Sequence, residues 1–195
     1  MTLTTPNLLT LARIGTVPIL VCLLLFTGPV ISACAAAVFF AAIISDFLDG
    51  YIARNYGSGS TLGKFLDPLA DKLVITAVLV MLAGMARSPR VPAWIVVVLV
   101  SREIIVTGLR AVMAAEGLIM AAEELGKYKM VLQSMALQAL LIHYTYFHIN
   151  FFLAGMFILW LAMAVSLWSG AEYFLNAIRM LQARERPQPI KRAVM

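Results

Sequence analysis

Charge is scarce in this chain: Asp, Glu, Lys and Arg make up 13% of its 195 residues, whereas hydrophobic residues make up 62%. Soluble domains are about a quarter charged. The shortfall, with a mean hydropathy of +0.92, excludes an ordinary water-soluble fold and points to an integral membrane protein. Cysteine is nearly missing too. Cys22 and Cys34 both fall in apolar segments, which excludes a disulfide framework or a thiolate metal site, and a free thiol there is expected to act as a small buried hydrophobe. The two histidines, His143 and His148, are five residues apart and share no helical face, so they read as interfacial anchors. No Ser–His or Cys–His arrangement suggests a covalent enzyme intermediate. No Ser/Gly/Pro-rich linker divides the chain, so we expect one catalytic domain over residues 1–182 and a basic tail over 183–195. No basic n-region precedes the first apolar run and no small-residue cleavage site ends it, which favours a mature helix over a signal peptide.

What the chain has in abundance is apolar runs of spanning length. They cover about Leu8–Phe26, Val30–Ile52, Leu62–Met85, Pro92–Met113, Tyr128–Tyr146 and Phe151–Leu175, and the expected fold is an all-α bundle of six transmembrane helices. Gly28-Pro29, Gly57 to Ser60, Ser88-Pro89 and Gly117 punctuate the first four breaks; the fifth, His143 to Asn150, is aromatic and polar. With both termini cytoplasmic, Arg54, Lys64, Arg110, Lys127, Lys129, Arg179 and the tail cations share one side, leaving Arg87 and Arg90 on the other. That asymmetry follows the positive-inside rule. The net charge of +5 is then a matter of topology and of tail contact with anionic lipid, which disfavours a nucleic-acid partner.

Four of the ten acidic residues crowd between Ser45 and Lys72. Counted from Val30 at 1.5 Å per residue, Asp46 lies ~24 Å along its helix, near the inner edge of a hydrocarbon core ~30 Å thick. Asp46, Asp49, Gly50, Ala53 and Arg54 fall on one helical stripe; Gly63, Asp67 and Asp71 recur every four residues on the next. The short Gly/Ser connection makes these helices antiparallel neighbours whose stripes can face each other. A lone carboxylate at a helix end is usually just interfacial, but four unpaired ones beside hydrocarbon would be costly. Oxygen-only ligands suit hard divalent cations such as Mg²⁺ or Mn²⁺, shared with substrate phosphates.

The full spacing, Asp46-x2-Asp49-Gly50-x2-Ala53-Arg54-x8-Gly63-x3-Asp67-x3-Asp71, resembles at every defined position the signature of the CDP-alcohol phosphotransferase family. The resemblance implies a six-helix membrane enzyme, generally dimeric, that transfers a phosphatidyl or similar group from a CDP-linked donor to an acceptor hydroxyl and releases CMP. It further implies that Asp46, Asp49, Asp67 and Asp71 hold two divalent cations, Mg²⁺ or Mn²⁺. Asp67 and Asp71 would be catalytic, with Asp71 as general base. Asp49, Gly50, Ala53, Arg54 and Gly63 would contact CDP-diacylglycerol, with Asn7 and Thr10 as further contacts.

The segments NLLTLARI (Asn7–Ile14), SREIIVTGLR (Ser101–Arg110), GKYKMVLQ (Gly126–Gln133) and LWSGAEYFLNAIR (Leu167–Arg179) resemble those of family members that take sn-glycerol 3-phosphate. The implied products are phosphatidylglycerophosphate and CMP. One departure is visible: the family's GKxKT reads GKYKM, with Met130 in the hydroxyl position. An anionic acceptor also fits the residues themselves. Arg102, Val106 and Arg110 share a helical face, and Lys127 and Lys129 open the following helix; such cations suit a phosphate. Arg102, mid-span, is the most informative of them; the competing reading is a structural pair with Glu103 or another helix's carboxylate. Trp94, Trp160 and Trp168 read as interface residues, and Glu172, Asn176 and Arg179 as a mutually bonded stripe. The alternatives are a sister enzyme acting on serine, inositol phosphate or phosphatidylglycerol, and a divalent-cation transporter, which would place its carboxylates near the midplane.

Overall fold

The computed structural model describes residues 5–56, 61–118 and 124–185, with side chains over 11–45, 69–118 and 126–182. Among the described residues the protein is all-α apart from one short hairpin. Six helices are described there, α1 (Thr5–Leu24), α2 (Pro29–Tyr56), α3 (Thr61–Gly84), α4 (Ala93–Ala115), α5 (Glu124–Ile142) and α6 (Phe151–Glu185), with β1 (Thr145–Tyr146) and β2 (Ile149–Asn150) between the last two.

Local chemistry explains the boundaries. Gly28, at φ +151°, turns the chain after α1. Pro29 then opens α2, where its missing N–H costs nothing and its φ is already helical. Gly117, at φ +76°, ends α4: Leu118 N–H donates to Met113 O at 2.9 Å and Gly117 N–H to Ala114 O at 3.0 Å, the paired bonds of a Schellman cap. The fifth run stops short of its expected end at Tyr146. α5 finishes at Ile142 because His143 takes φ +66°, and Thr145–Tyr146 instead pair with Ile149–Asn150. Phe147 and His148, both at positive φ, form the two-residue turn that matches strand twist. Asn150 Oδ1 then accepts from Leu153 N–H at 3.1 Å and caps α6. α6 runs ten residues past Leu175, through the domain boundary expected at 182.

α1 packs on both α2 and α3; α2 packs on α5, α5 on α6, α6 on α4, and α4 on α3. Among the described residues α1 thus bridges α2 and α3; the facing of the Asp46–Arg54 and Gly63–Asp71 stripes expected from the sequence concerns side chains that, Asp71 apart, lie outside the described residues. Phe39, Leu20, Leu79, Ile95, Leu137, Leu140 and Leu159 are fully buried at the centre. The outside is also apolar: Ile19, Phe40, Val97, Ile104, Ile105, Leu153, Phe157 and Trp168 are exposed. Soluble monomers rarely expose apolar patches on that scale, so the bundle fits a membrane-embedded protein. Within the described residues, Phe151–Gln182 is long and apolar enough to cross a membrane; Leu11–Leu24 and Pro29–Ser45 are shorter apolar stretches. Cys22 and Cys34 are free and exposed on this exterior, contrary to the expected burial, because their helices turn those positions away from the core.

Two contacts hold the bundle together locally. Arg87 donates to Ser32 Oγ at 2.6 Å and to Leu140 O at 3.2 Å, clamping the α3–α4 connection to α2 and to the C-terminal turn of α5. One of the two cations that broke the charge asymmetry is thus an internal strut. Gly155 lets α6 lie against α5, since a Cβ there would meet Leu140 Cγ at 2.8 Å and Leu140 N at 2.9 Å. Small residues permit such close approach in membrane bundles. Gly155→Ala should therefore destabilise the protein by about 1–3 kcal/mol. Gly108→Ala, where a Cβ meets nothing within 4 Å, should be neutral or slightly stabilising; thermal unfolding in detergent separates the two.

Candidate active site

One cavity of about 320 Å³ lies between α3, α4, α5 and α6, and its lining includes Asp71, Lys72, Arg102, Glu103, Thr107, Arg110, Lys127, Lys129, Met130 and Tyr173. Helical spacing gathers these groups. On α4, residues 102, 103, 106, 107 and 110 fall on one face. The first turns of α5 bring Lys127 and Lys129, and α3 brings Asp71 and Lys72 from the lower edge of its apolar run. Arg102, Arg110, Lys127 and Lys129, proposed from sequence for an anionic acceptor, thus surround one space together with Asp71.

Their roles in the cavity differ. Glu103 Oε2 contacts the Lys129 ammonium and lies 3.3 Å from Arg102 Nη1, and Oε1 lies 3.7 Å from Lys72 Nζ. Lys72 also donates to Thr107 Oγ1 at 2.5 Å, and Thr107 donates to the Glu103 carbonyl at 2.7 Å. The Lys129 side chain is only 8% exposed and that of Arg102 only 9%, depths at which cations need a partner charge. Arg102 reaches further, donating from Nε to Ser166 O at 2.8 Å and from Nη2 to Ser169 Oγ at 3.1 Å. Gly170 leaves room beneath it: a Cβ there would sit 3.2 Å from Arg102 Nε. The pairing with Glu103 and the link to α6 thus occupy the guanidinium, so the structural reading of Arg102 accounts for its position. Arg110, in the C-terminal part of α4, and Lys127, in the first turn of α5, are exposed and make no ion pair among the described residues. Arg110 lies over the Tyr173 ring, 5.8 Å from its centroid, a cation–π distance.

Asp71 sits between this cavity and a smaller one lined by Arg13, Phe39, Asp71, Val74, Met130 and Ser134 among others. Its Oδ1 accepts from Arg13 Nη1 at 3.0 Å, and the Arg13 side chain is 2% exposed. α1 therefore reaches the site through a buried arginine. Met130, the departure from the family's lysine-threonine pattern, lines both spaces.

Asp46, Asp49, Gly50, Ala53 and Arg54 lie on α2, Gly63 and Asp67 on α3, and Asn7 and Thr10 on α1. Their side chains fall outside the described residues. Among the described residues no three His, Cys, Asp or Glu side chains converge. The donor set still suits hard divalent cations: oxygen-only, repeated on successive turns of two helices, with Asp71 Oδ1 already held by a cation. Reading the sequence did not pick out Lys72, Thr107 or Tyr173, and it took Glu103 only as a partner for Arg102. The available signal was a second ionisable residue in mid-run, beside Arg102. Tyr173 lines the cavity, whereas Glu172 and Arg179, in the stripe expected at the end of α6, do not. His143 is buried at the far end of α5, its ring 5.3 Å from that of Phe152, a packing role.

A profile of the CDP-alcohol phosphatidyltransferase family matches residues 3–168. The chain is 40% identical over 181 residues to the CDP-diacylglycerol–glycerol-3-phosphate 3-phosphatidyltransferase of Bacillus subtilis (strain 168), covering 87% of this chain and 92% of that one. It is 35% identical over 170 residues to the protein of the same name in Rickettsia bellii (strain RML369-C), again 87% and 92%. It is also 36% identical over 150 residues to a cardiolipin synthase (CMP-forming) of Oryza sativa subsp. japonica, covering 71% of this chain and 46% of that one.

The α6 anchor separates Arg102 from Arg110. Lysine cannot reproduce the bonds to Ser166 O and Ser169 Oγ, so Arg102→Lys should lose about 1–3 kcal/mol of stability. Arg110→Lys should leave the unfolding temperature unchanged in the same detergent melt.

Proposed function

The chain belongs to the CDP-alcohol phosphatidyltransferase family, and we propose that it transfers a phosphatidyl group from CDP-diacylglycerol to a hydroxyl of sn-glycerol 3-phosphate, giving phosphatidylglycerophosphate and CMP. The observation that carries the acceptor assignment is the cavity in which exposed Arg110 and Lys127 stand at one end of a space that also reaches Asp71. A phosphate monoester matches those cations, and the relatives from Bacillus subtilis and Rickettsia bellii are named for the same acceptor.

Arg13 orients the Asp71 carboxylate from the α1 side, and Asp71, flanked by Asp67, takes the proton of the attacking hydroxyl. Arg110 and Lys127 hold the acceptor's phosphate. Asp49, Gly50, Ala53, Arg54 and Gly63, with Asn7 and Thr10, contact the CDP-diacylglycerol. Asp46, Asp49, Asp67 and Asp71 would hold two divalent cations, Mg²⁺ or Mn²⁺, whose chemistry there is to polarise phosphoryl oxygens and neutralise charge on the departing CMP. The apolar exterior and the charge asymmetry support six spans in the cytoplasmic membrane with both termini and the site on the cytoplasmic side; a homodimer rests on the family resemblance.

The rice relative's name makes phosphatidylglycerol the competing acceptor. CMP release by the purified protein, with CDP-diacylglycerol and Mg²⁺ or Mn²⁺, decides between them when glycerol 3-phosphate, phosphatidylglycerol, serine and inositol phosphate are offered separately. Only glycerol 3-phosphate should support turnover. Asp71→Asn should lower it by about 10²–10⁴-fold, EDTA should abolish it, and Arg110→Gln should raise the glycerol 3-phosphate KM about tenfold or more with a smaller effect on kcat. Turnover with another acceptor alone would overturn the assignment; none with any of the four would favour the transporter.

A further inference from the structure

Glu103 has no part in the mechanism above, yet it contacts three of the five cations around the cavity. Lys129 and Arg102, the two most buried, share its Oε2, and Lys72 faces its Oε1. Arg110 and Lys127, both exposed, make no ion pair among the described residues. On α4 eight residues, ~12 Å of helix, separate Arg102 from Arg110; on α5 Lys127 and Lys129 are two residues apart and differ in burial, the first exposed and the second buried. The cavity therefore has a neutralised deep end and a charged mouth.

We propose that Glu103 is a specificity-determining residue, a resident anion that occupies the deep cations so that the acceptor's phosphate is held at the mouth by Arg110 and Lys127. The proposal rests on the acceptor reading above and deepens it. Without the Glu103 charge, Lys129 and Arg102 would face each other uncompensated in a poorly solvated space, and the cheapest replacement anion is phosphate. A phosphate drawn to the deep end leaves the acceptor's hydroxyl in the wrong place relative to Asp71. Glu103 thus weakens total anion binding and fixes which end of the acceptor goes in first. Discrimination by disfavouring a wrong mode is a common basis of specificity.

The test is a gain of binding, which a damaged fold would not produce. Inorganic phosphate is titrated into the full-length protein in detergent, read by phosphorus NMR or calorimetry, with no turnover required. Glu103→Gln should bind phosphate roughly tenfold tighter or more. In the CMP-release assay phosphate should compete against glycerol 3-phosphate more strongly by the same factor, with kcat reduced. Glu103→Asp should return both readouts towards the unsubstituted protein. Unchanged or weaker phosphate binding in a folded Glu103→Gln protein would overturn the proposal. Should that variant fail to fold, the charge-balanced Glu103→Gln/Lys129→Met pair carries the test. Phosphate affinity within about threefold of the unsubstituted protein is expected, whereas a tenfold loss would make Lys129 itself the phosphate ligand and overturn the proposal. Failure of the acceptor reading shows separately, as absence of turnover with glycerol 3-phosphate in the unsubstituted protein while phosphate still binds.

Discussion

A carboxylate that meets three cations inside an apolar bundle governs how half of this protein comes together. Glu103 on α4 draws Lys72 from α3 and Lys129 from α5, and its neighbour Arg102 extends the network to Ser166 and Ser169 on α6. Isolated, each of these charges would be costly where they sit. Together they compel four helices to converge at one level. The cavity beside them exists because the polar groups cannot be covered by the apolar side chains that fill the rest of the interior, from Leu79 to Leu159.

The same constraint works at the other end of the bundle in a different form. Arg87 directs its donors at Ser32 and the Leu140 carbonyl, so a cation that broke the charge asymmetry turns out to seal a helix terminus. Between the two ends, contact is made by shape: Gly155 brings α5 and α6 together, and Gly170 admits the Arg102 side chain. Packing there is tight because hydrocarbon outside the bundle offers little drive for burial, leaving close contact and hydrogen bonds to hold the helices.

Asp71 joins structure to chemistry. It faces the cationic cavity on one side and the buried Arg13 on the other, which makes α1 a supporting element of a site whose signature lies wholly on α2 and α3. Met130 lies at this same junction, lining both spaces with a thioether.

The helical character of the chain and, among the described residues, its six helices were legible from the sequence because apolar length and Gly/Pro punctuation are local properties. The Gly28-Pro29 and Gly117 breaks are where they were read. The aspartate spacing, likewise local, carried the family. The end of the fifth run was misread: an apolar, aromatic stretch reads as helix until backbone pairing across the Phe147-His148 turn claims it. The sequence also showed cations on the right faces of α4 and α5. It did not distinguish Arg102, bound to α6, from Arg110, open to the cavity, because both have the same side chain at the same helical phase. Nor did it show that Glu103 would bind Lys129 rather than only its neighbour. Those distinctions depend on partners 26 to 67 positions away along the chain. Sequence determined which charges the protein carries and on which helices; only tertiary structure decided which of them neutralise one another and which remain for a ligand, since the energy of a buried charge depends on its partners in space.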